Sequence, residues 1–129
     1  MEQAELYAMM AEHMEKGFLE NIVDMIKHDR DLFGALPVMI GDERIGVRIG
    51  AVALAEQMRD EFMNELRQLL PAIAAHLSNA NPTIRGDVVY LLSAIGHRDA
   101  LPFLEAHKDE HPGVVEIIGD TIEELRSAG

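Results

Sequence analysis

The sequence predicts an all-α protein, an α-solenoid of stacked helical hairpins, and three observations carry that prediction. First, an apolar stretch runs into proline and on into further apolar residues three times: Ala35-Leu36-Pro37-Val38-Met39, Leu69-Leu70-Pro71-Ala72-Ile73 and Leu101-Pro102-Phe103-Leu104. These prolines lie 34 and 31 residues apart, a period that marks units burying their cores against one another. Second, apolar residues recur at helical spacing, as Val47, Ala51, Leu54, Ala55, Met58; as Ile84, Val88, Leu91, Leu92, Ile95; and as Val114, Ile118, Ile122, Leu125. Third, the chain is 48% hydrophobic but only 5% aromatic, with no tryptophan, so the core is built from small and aliphatic side chains that suit close helix packing.

Each element follows in order. Residues 1–29 lack the proline signature and are expected as one or two capping helices, or a degenerate fourth unit. Repeat 1 spans 30–61, repeat 2 spans 66–97 and repeat 3 spans 98–127, all within a single domain covering 1–129. Turn signals separate the helices at Gly41-Asp42, Ser78 to Pro82, Gly96-His97 and Asp109 to Gly113. Pro82 and Pro112 open second helices, where a missing N–H costs nothing. In the first helices, expected to begin near Asp31, Arg67 and Arg98 or Asp99, the prolines fall three to six residues in. An interior proline costs a helix roughly 3 kcal/mol, so an opening 3₁₀-like turn or a slight bend is expected at each.

Charge narrows the function. A net charge of −12 opposes nucleic acid or an anionic membrane as partner. The charge is uneven: residues 67–98 sum to +2 and residues 99–129 to −6, which makes the middle repeat a candidate contact surface. The chain has no cysteine, which excludes disulfides, thiolate zinc sites and thiol catalysis by this chain and fits a reducing compartment. No apolar run reaches the roughly 18 residues of a membrane span, and the sequence opens Met1-Glu2-Gln3-Ala4-Glu5, acidic where a signal peptide is basic. A cytoplasmic location is expected.

The segment from Leu92 to Val115 combines a helix ending in Ile95-Gly96, an Arg98-Asp99 start, Ala100-Leu101-Pro102, an apolar helix, and an Asp109-x-x-Pro112-x-Val114 turn into the next helix. In this it resembles the junction between units of HEAT-like repeats, particularly the short type named after phycobilisome lyases, and the resemblance covers about residues 30–127. It implies a right-handed α-α superhelix of about eight helices whose second helices line the concave surface. It also implies a ladder of a turn acid with an arginine opening the second helix. Asp42 with Arg48 fits that pattern, Asn79 with Arg85 fits it with an amide for the acid, and Asp109 faces Val115, so the ladder is expected to lapse in repeat 3.

Catalytic signals are weak. His107-Lys108-Asp109-Glu110-His111 fits H-x-x-E-H literally, but that motif works only on one continuous helix, and Asp109 and Pro112 place it across a turn with His111 as N-cap. His13, His28, His76 and His97 fall at helix ends or on polar faces. There is no Gly-rich phosphate loop, G-x-S-x-G elbow or nucleophile–base pair at meaningful spacing. Asp87 and Tyr90 share a helix face, where a solvated polar pair is the commoner case. No catalytic residue, cofactor or metal ligand is assigned, and the chain is not expected to be an enzyme.

Two signals point to binding. All eight methionines, Met1 to Met63, lie in the first half, either filling the core under a cap or forming an adaptable interface, with a homodimer through these helices as one outcome. The second helices also carry apolar residues off their core face: Ile45, Ile49, Val52 and Val89. With Tyr90, Glu116 and Glu123 from the implied concave face, Ile49, Val52 and Val89 form the candidate protein-binding surface, while Asp42, Arg48, Asn79 and Arg85 form the candidate structural ladder. The expected function is a non-catalytic scaffold or adaptor for a protein partner. The alternatives are an accessory factor of a bilin-attaching enzyme, disfavoured by the few aromatics, and a self-associating structural subunit.

Overall fold

The computed structural model describes residues 2–128, and these contain eight α-helices, three short 3₁₀ segments and no strand. Two helices come first: α1 (Gln3–Glu15) and α2 (Leu19–His28). Three hairpins follow, pairing α3 (Ala35–Ile40) with α4 (Ile45–Gln68), α5 (Leu70–Ala74) with α6 (Pro82–Ile95), and α7 (Leu101–Ala106) with α8 (Pro112–Ser127). The most extensive contacts run between second helices, α4 on α6 and α6 on α8, while α3 touches α5 and α5 touches α7. The hairpins thus form two contacting rows, and α1 and α2 close the α4 end.

The prolines sit where the backbone tolerates them. Pro82 and Pro112 are the first residues of α6 and α8, Pro71 and Pro102 the second residues of α5 and α7, and Pro37 the third of α3. All fall in a first turn, whose N–H groups have no intrahelical partner to lose. A 3₁₀ segment leads into α3 (Arg30–Gly34) and into α7 (Arg98–Ala100). Each is opened by a side chain that accepts a backbone N–H, Asp29 from Asp31 and His97 from Asp99.

The middle repeat takes the second alternative, a break at Leu69 two residues before Pro71, with no 3₁₀ turn opening α5. Its 3₁₀ segment, Ala75–Ser78, follows α5, and α4 runs on through Arg67 to Gln68 before Leu69 breaks it. Glu65 to Leu69 contains no short capping side chain, glycine or proline to stop α4 earlier. The long helix bends at Phe62 (φ −124°, ψ 33°). There the Phe62 ring packs 5.6 Å from that of Phe33, with the Arg30 guanidinium 5.1 Å from its centre.

The core runs the length of the chain. Met10, Met14, Met39 and Met58 are buried, and Met9, Met25 and Met63 pack against the core from partly buried positions; Met1 lies outside the described residues. The methionines therefore fill the interior, the first of the two readings that their clustering allowed. Their flexibility suits close approach: a side chain added at Gly50 on α4 would collide with the Met14 side chain from α1. Gly96 ends α6 at φ 71°, a left-handed cap that a residue with a Cβ adopts only at a cost.

Leu54 of α4 and Leu91 of α6 are both fully buried. Truncating either to alanine is expected to cost about 2 to 5 kcal/mol, read from the midpoint of denaturant unfolding. His111→Ala, at an exposed helix start, is expected to cost about 1 kcal/mol or less.

Candidate functional site

Two arginines join successive hairpins. Arg48, near the start of α4, is 4% exposed. Its Nη1 donates to the carbonyls of Asp42 (2.8 Å) and Glu43 (2.9 Å) in its own turn, and its Nε donates to Asp87 Oδ2 on α6 (2.7 Å). Arg85, the matching residue of α6, repeats the pattern. Its Nη1 donates to the carbonyls of Asn79 and Ala80, and Nε and Nη2 donate to Asp109 at 2.8 and 3.1 Å. Each guanidinium thus satisfies the orphan carbonyls of one turn and reaches a carboxylate in the next hairpin.

These contacts correct the ladder in three places. The Asp42 carboxylate pairs with Arg44, not Arg48, accepting from its backbone N–H, Nε and Nη2. The Asn79 side chain accepts from the Asn81 N–H, leaving only its carbonyl for Arg85. Asp109, expected outside the ladder, is its last acceptor. Asn79 stands where Asp109 stands one repeat later but carries no charge, and Arg48 is bonded to Asp87 instead.

Asp109 is the most constrained carboxylate, with its side chain 2% exposed. Hydrogen bonds from Arg85 hold it well below the usual carboxylate range; burial opposes them, and His107 Nε2 at 2.8 Å and the His111 N–H assist. Between that depressed value and the ordinary one of about 4, the unfolded chain takes up a proton that the folded chain does not. The contribution is therefore complete above about pH 5 and lost as the pH falls. Asp109→Asn is expected to lower stability by about 2 to 3 kcal/mol at neutral pH, somewhat less than for a fully buried pair because Arg85 keeps some contact with water. Denaturant midpoints between pH 2 and 7 should show a shallower acid limb in the variant. Identical limbs would remove Asp109 from that role.

The H-x-x-E-H residues are divided by this same turn. His107 pairs with Asp109, and His111 caps α8 by accepting from the Gly113 N–H. No group of three or more metal-ligating side chains is clustered among the described residues.

Alongside the rungs, α4, α6 and α8 enclose a groove of about 790 Å³. Ile49, Val52, Ala53 and Leu125 supply apolar lining, Tyr90 and Ser93 rise from α6, and Glu56, Arg59, Asp87 and Glu124 bring charge. Ile49 is 61% exposed and Tyr90 53% exposed, so both present apolar surface outward. Arg59 Nη1 donates to the Ala94 carbonyl at 3.0 Å, near the C-terminal end of α6 and beside Gly96. Ser93 donates to Glu124 Oε2 at 2.8 Å, tying α6 to α8.

Of the binding candidates, Ile49, Val52 and Tyr90 meet in this groove. Val89 does not. It is 0% exposed, because α6 is flanked by α4 on one side and α8 on the other and buries both flanks; the expectation that Val89 faces a partner is corrected. Glu116 and Glu123 are exposed on α8 but lie outside the groove lining, where Glu124 and Leu125 stand instead. Sequence reasoning passed over Asp87 as a rung, although its isolation as the one acid between residues 67 and 98 was a usable signal. Comparisons with family models, curated proteins and solved structures gave no match.

Proposed function

We propose that this chain is a non-catalytic protein-binding scaffold of HEAT-like repeats, a right-handed α-α superhelix acting in the cytoplasm. The observation that carries the proposal is the groove across α4, α6 and α8, in which Ile49, Val52 and Tyr90 come together from different hairpins. A groove of about 790 Å³ holds several side chains of a bound segment. Exposed apolar and aromatic groups of this kind act as anchors, with polar neighbours setting selectivity. The arginine rungs support the same view, since they fix the spacing of the helices whose side chains line the groove. Chemistry has little to work with there. Arg48 and Asp87 neutralise one another, and Ser93 is bonded to a carboxylate with no histidine in the lining.

The test is photo-crosslinking in cells with a benzophenone amino acid at Ile49, compared with one at Val38, an equally apolar and 50% exposed residue on α3. The expected result is one recurrent protein crosslinked from position 49 and not from 38, lost when Val52→Asn is added. Crosslinks of equal yield and identity from both positions would contradict a binding groove. Crosslinks to a second copy would support the self-associating alternative.

A further inference from the structure

We propose that the groove takes a cationic amphipathic segment of its partner, apolar side chains on Ile49, Val52 and Leu125 and a lysine or arginine between Glu56 and Glu124. This rests on the groove being the binding site, and it follows from which polar atoms there are already spent. The Arg48 donors are turned inward to two carbonyls and Asp87, leaving the residue 4% exposed, so it offers an incoming anion nothing. Arg59 gives one donor to the Ala94 carbonyl and keeps its charge, so the lining holds three carboxylates, Glu56, Asp87 and Glu124, against the two guanidinium groups of Arg48 and Arg59. The acceptors are freer. Glu56 is exposed on α4 with no hydrogen-bond or ion-pair partner among the described residues, and Glu124 uses one oxygen on Ser93 and keeps the other. The groove therefore presents unfilled acceptors beside an apolar floor, within a chain whose net charge is −12. A carboxylate-rich segment would add to that excess of carboxylates, and an uncharged apolar one would leave it uncompensated.

The experiment uses the full chain and three fluorescent helical peptides of equal length. They share one apolar face at helical spacing and carry lysine, glutamine or glutamate on the other. Fluorescence anisotropy is expected to show the lysine peptide binding most tightly, with affinity falling as salt is added. Glu56→Gln with Glu124→Gln is expected to weaken it about tenfold. Glu116→Gln with Glu123→Gln, the same change in charge placed outside the groove, is expected to leave affinity within about twofold. Ile49→Asn is expected to weaken the lysine peptide at least as much as the groove glutamine pair. Equal losses from the two glutamine pairs would reduce the effect to diffuse charge and overturn the proposal. If the glutamine or glutamate peptide binds as tightly as the lysine peptide and is lost in Ile49→Asn, the cationic requirement falls while the groove stands. If no peptide binds in an Ile49-dependent way the proposal is overturned, and the groove itself falls only if crosslinks from position 49 are missing as well.

Discussion

Val89→Asp is expected to unfold the chain under conditions where Ile49→Asp stays folded, although both replace a β-branched apolar residue on a second helix. Val89 is fully buried and Ile49 is 61% exposed. An aspartate at 89 must either ionise in an apolar layer or fold protonated with no hydrogen-bond partner. Either course is expected to cost more than about 4 kcal/mol, a large share of the roughly 5 to 15 that holds a domain together. At position 49 the carboxylate reaches water, so the melting temperature should stay within a few degrees of the parent. Far-UV circular dichroism during thermal and denaturant unfolding checks both. A Val89→Asp protein as stable as the parent would place Val89 outside the core and undo the account of α6 as a helix buried on two flanks.

Removing Asp87 is expected to cost more than its own partial exposure implies. Its carboxylate is the counter-charge of Arg48, whose side chain is 5% exposed. In Asp87→Ala the guanidinium keeps its two turn carbonyls and loses the one carboxylate bonded to it. Stranding a buried charge in this way costs about 3 to 5 kcal/mol, whereas replacing both members of such a pair with apolar groups of similar volume is often close to neutral. Arg48→Met with Asp87→Leu is therefore expected to recover most of the loss. Denaturant midpoints of the two single variants and the double complete the cycle. A double variant no more stable than Asp87→Ala would mean that the carbonyl bonds of Arg48 at Asp42 and Glu43 outweigh the ion pair.

The helices were legible because their signals are local. Apolar spacing marks α4, α6 and α8, Pro82 and Pro112 mark two starts, and Gly96 marks a stop. What depends on neighbours was not. Val89 reads as off-face when α6 is taken to have one apolar stripe, and its burial follows only from α8 covering the second flank. The partners of Arg48 and Arg85 lie 39 and 24 residues onward, and which carboxylate each meets is set by how hairpins align, a register that spacing within one hairpin does not encode. The same gap separates Glu116 and Glu123 from Glu124, neighbours in sequence on a helix whose rotation decides which enters the groove. The repeat 1 boundary at residue 61 falls beside the Phe62 kink that divides α4, and helical backbone resumes beyond the kink to Gln68 because nothing between Glu65 and Leu69 caps a helix.

The binding face is tested most directly by amide and methyl chemical-shift mapping of the full chain titrated with the lysine-faced peptide. The predicted result is a set of saturating shifts at Ile49, Val52, Tyr90, Ser93 and Leu125, which lie far apart in sequence and meet only in the groove, with α2 and α7 unmoved. Shifts centred on α1 and α2, or on the surface between α5 and α7, would contradict it.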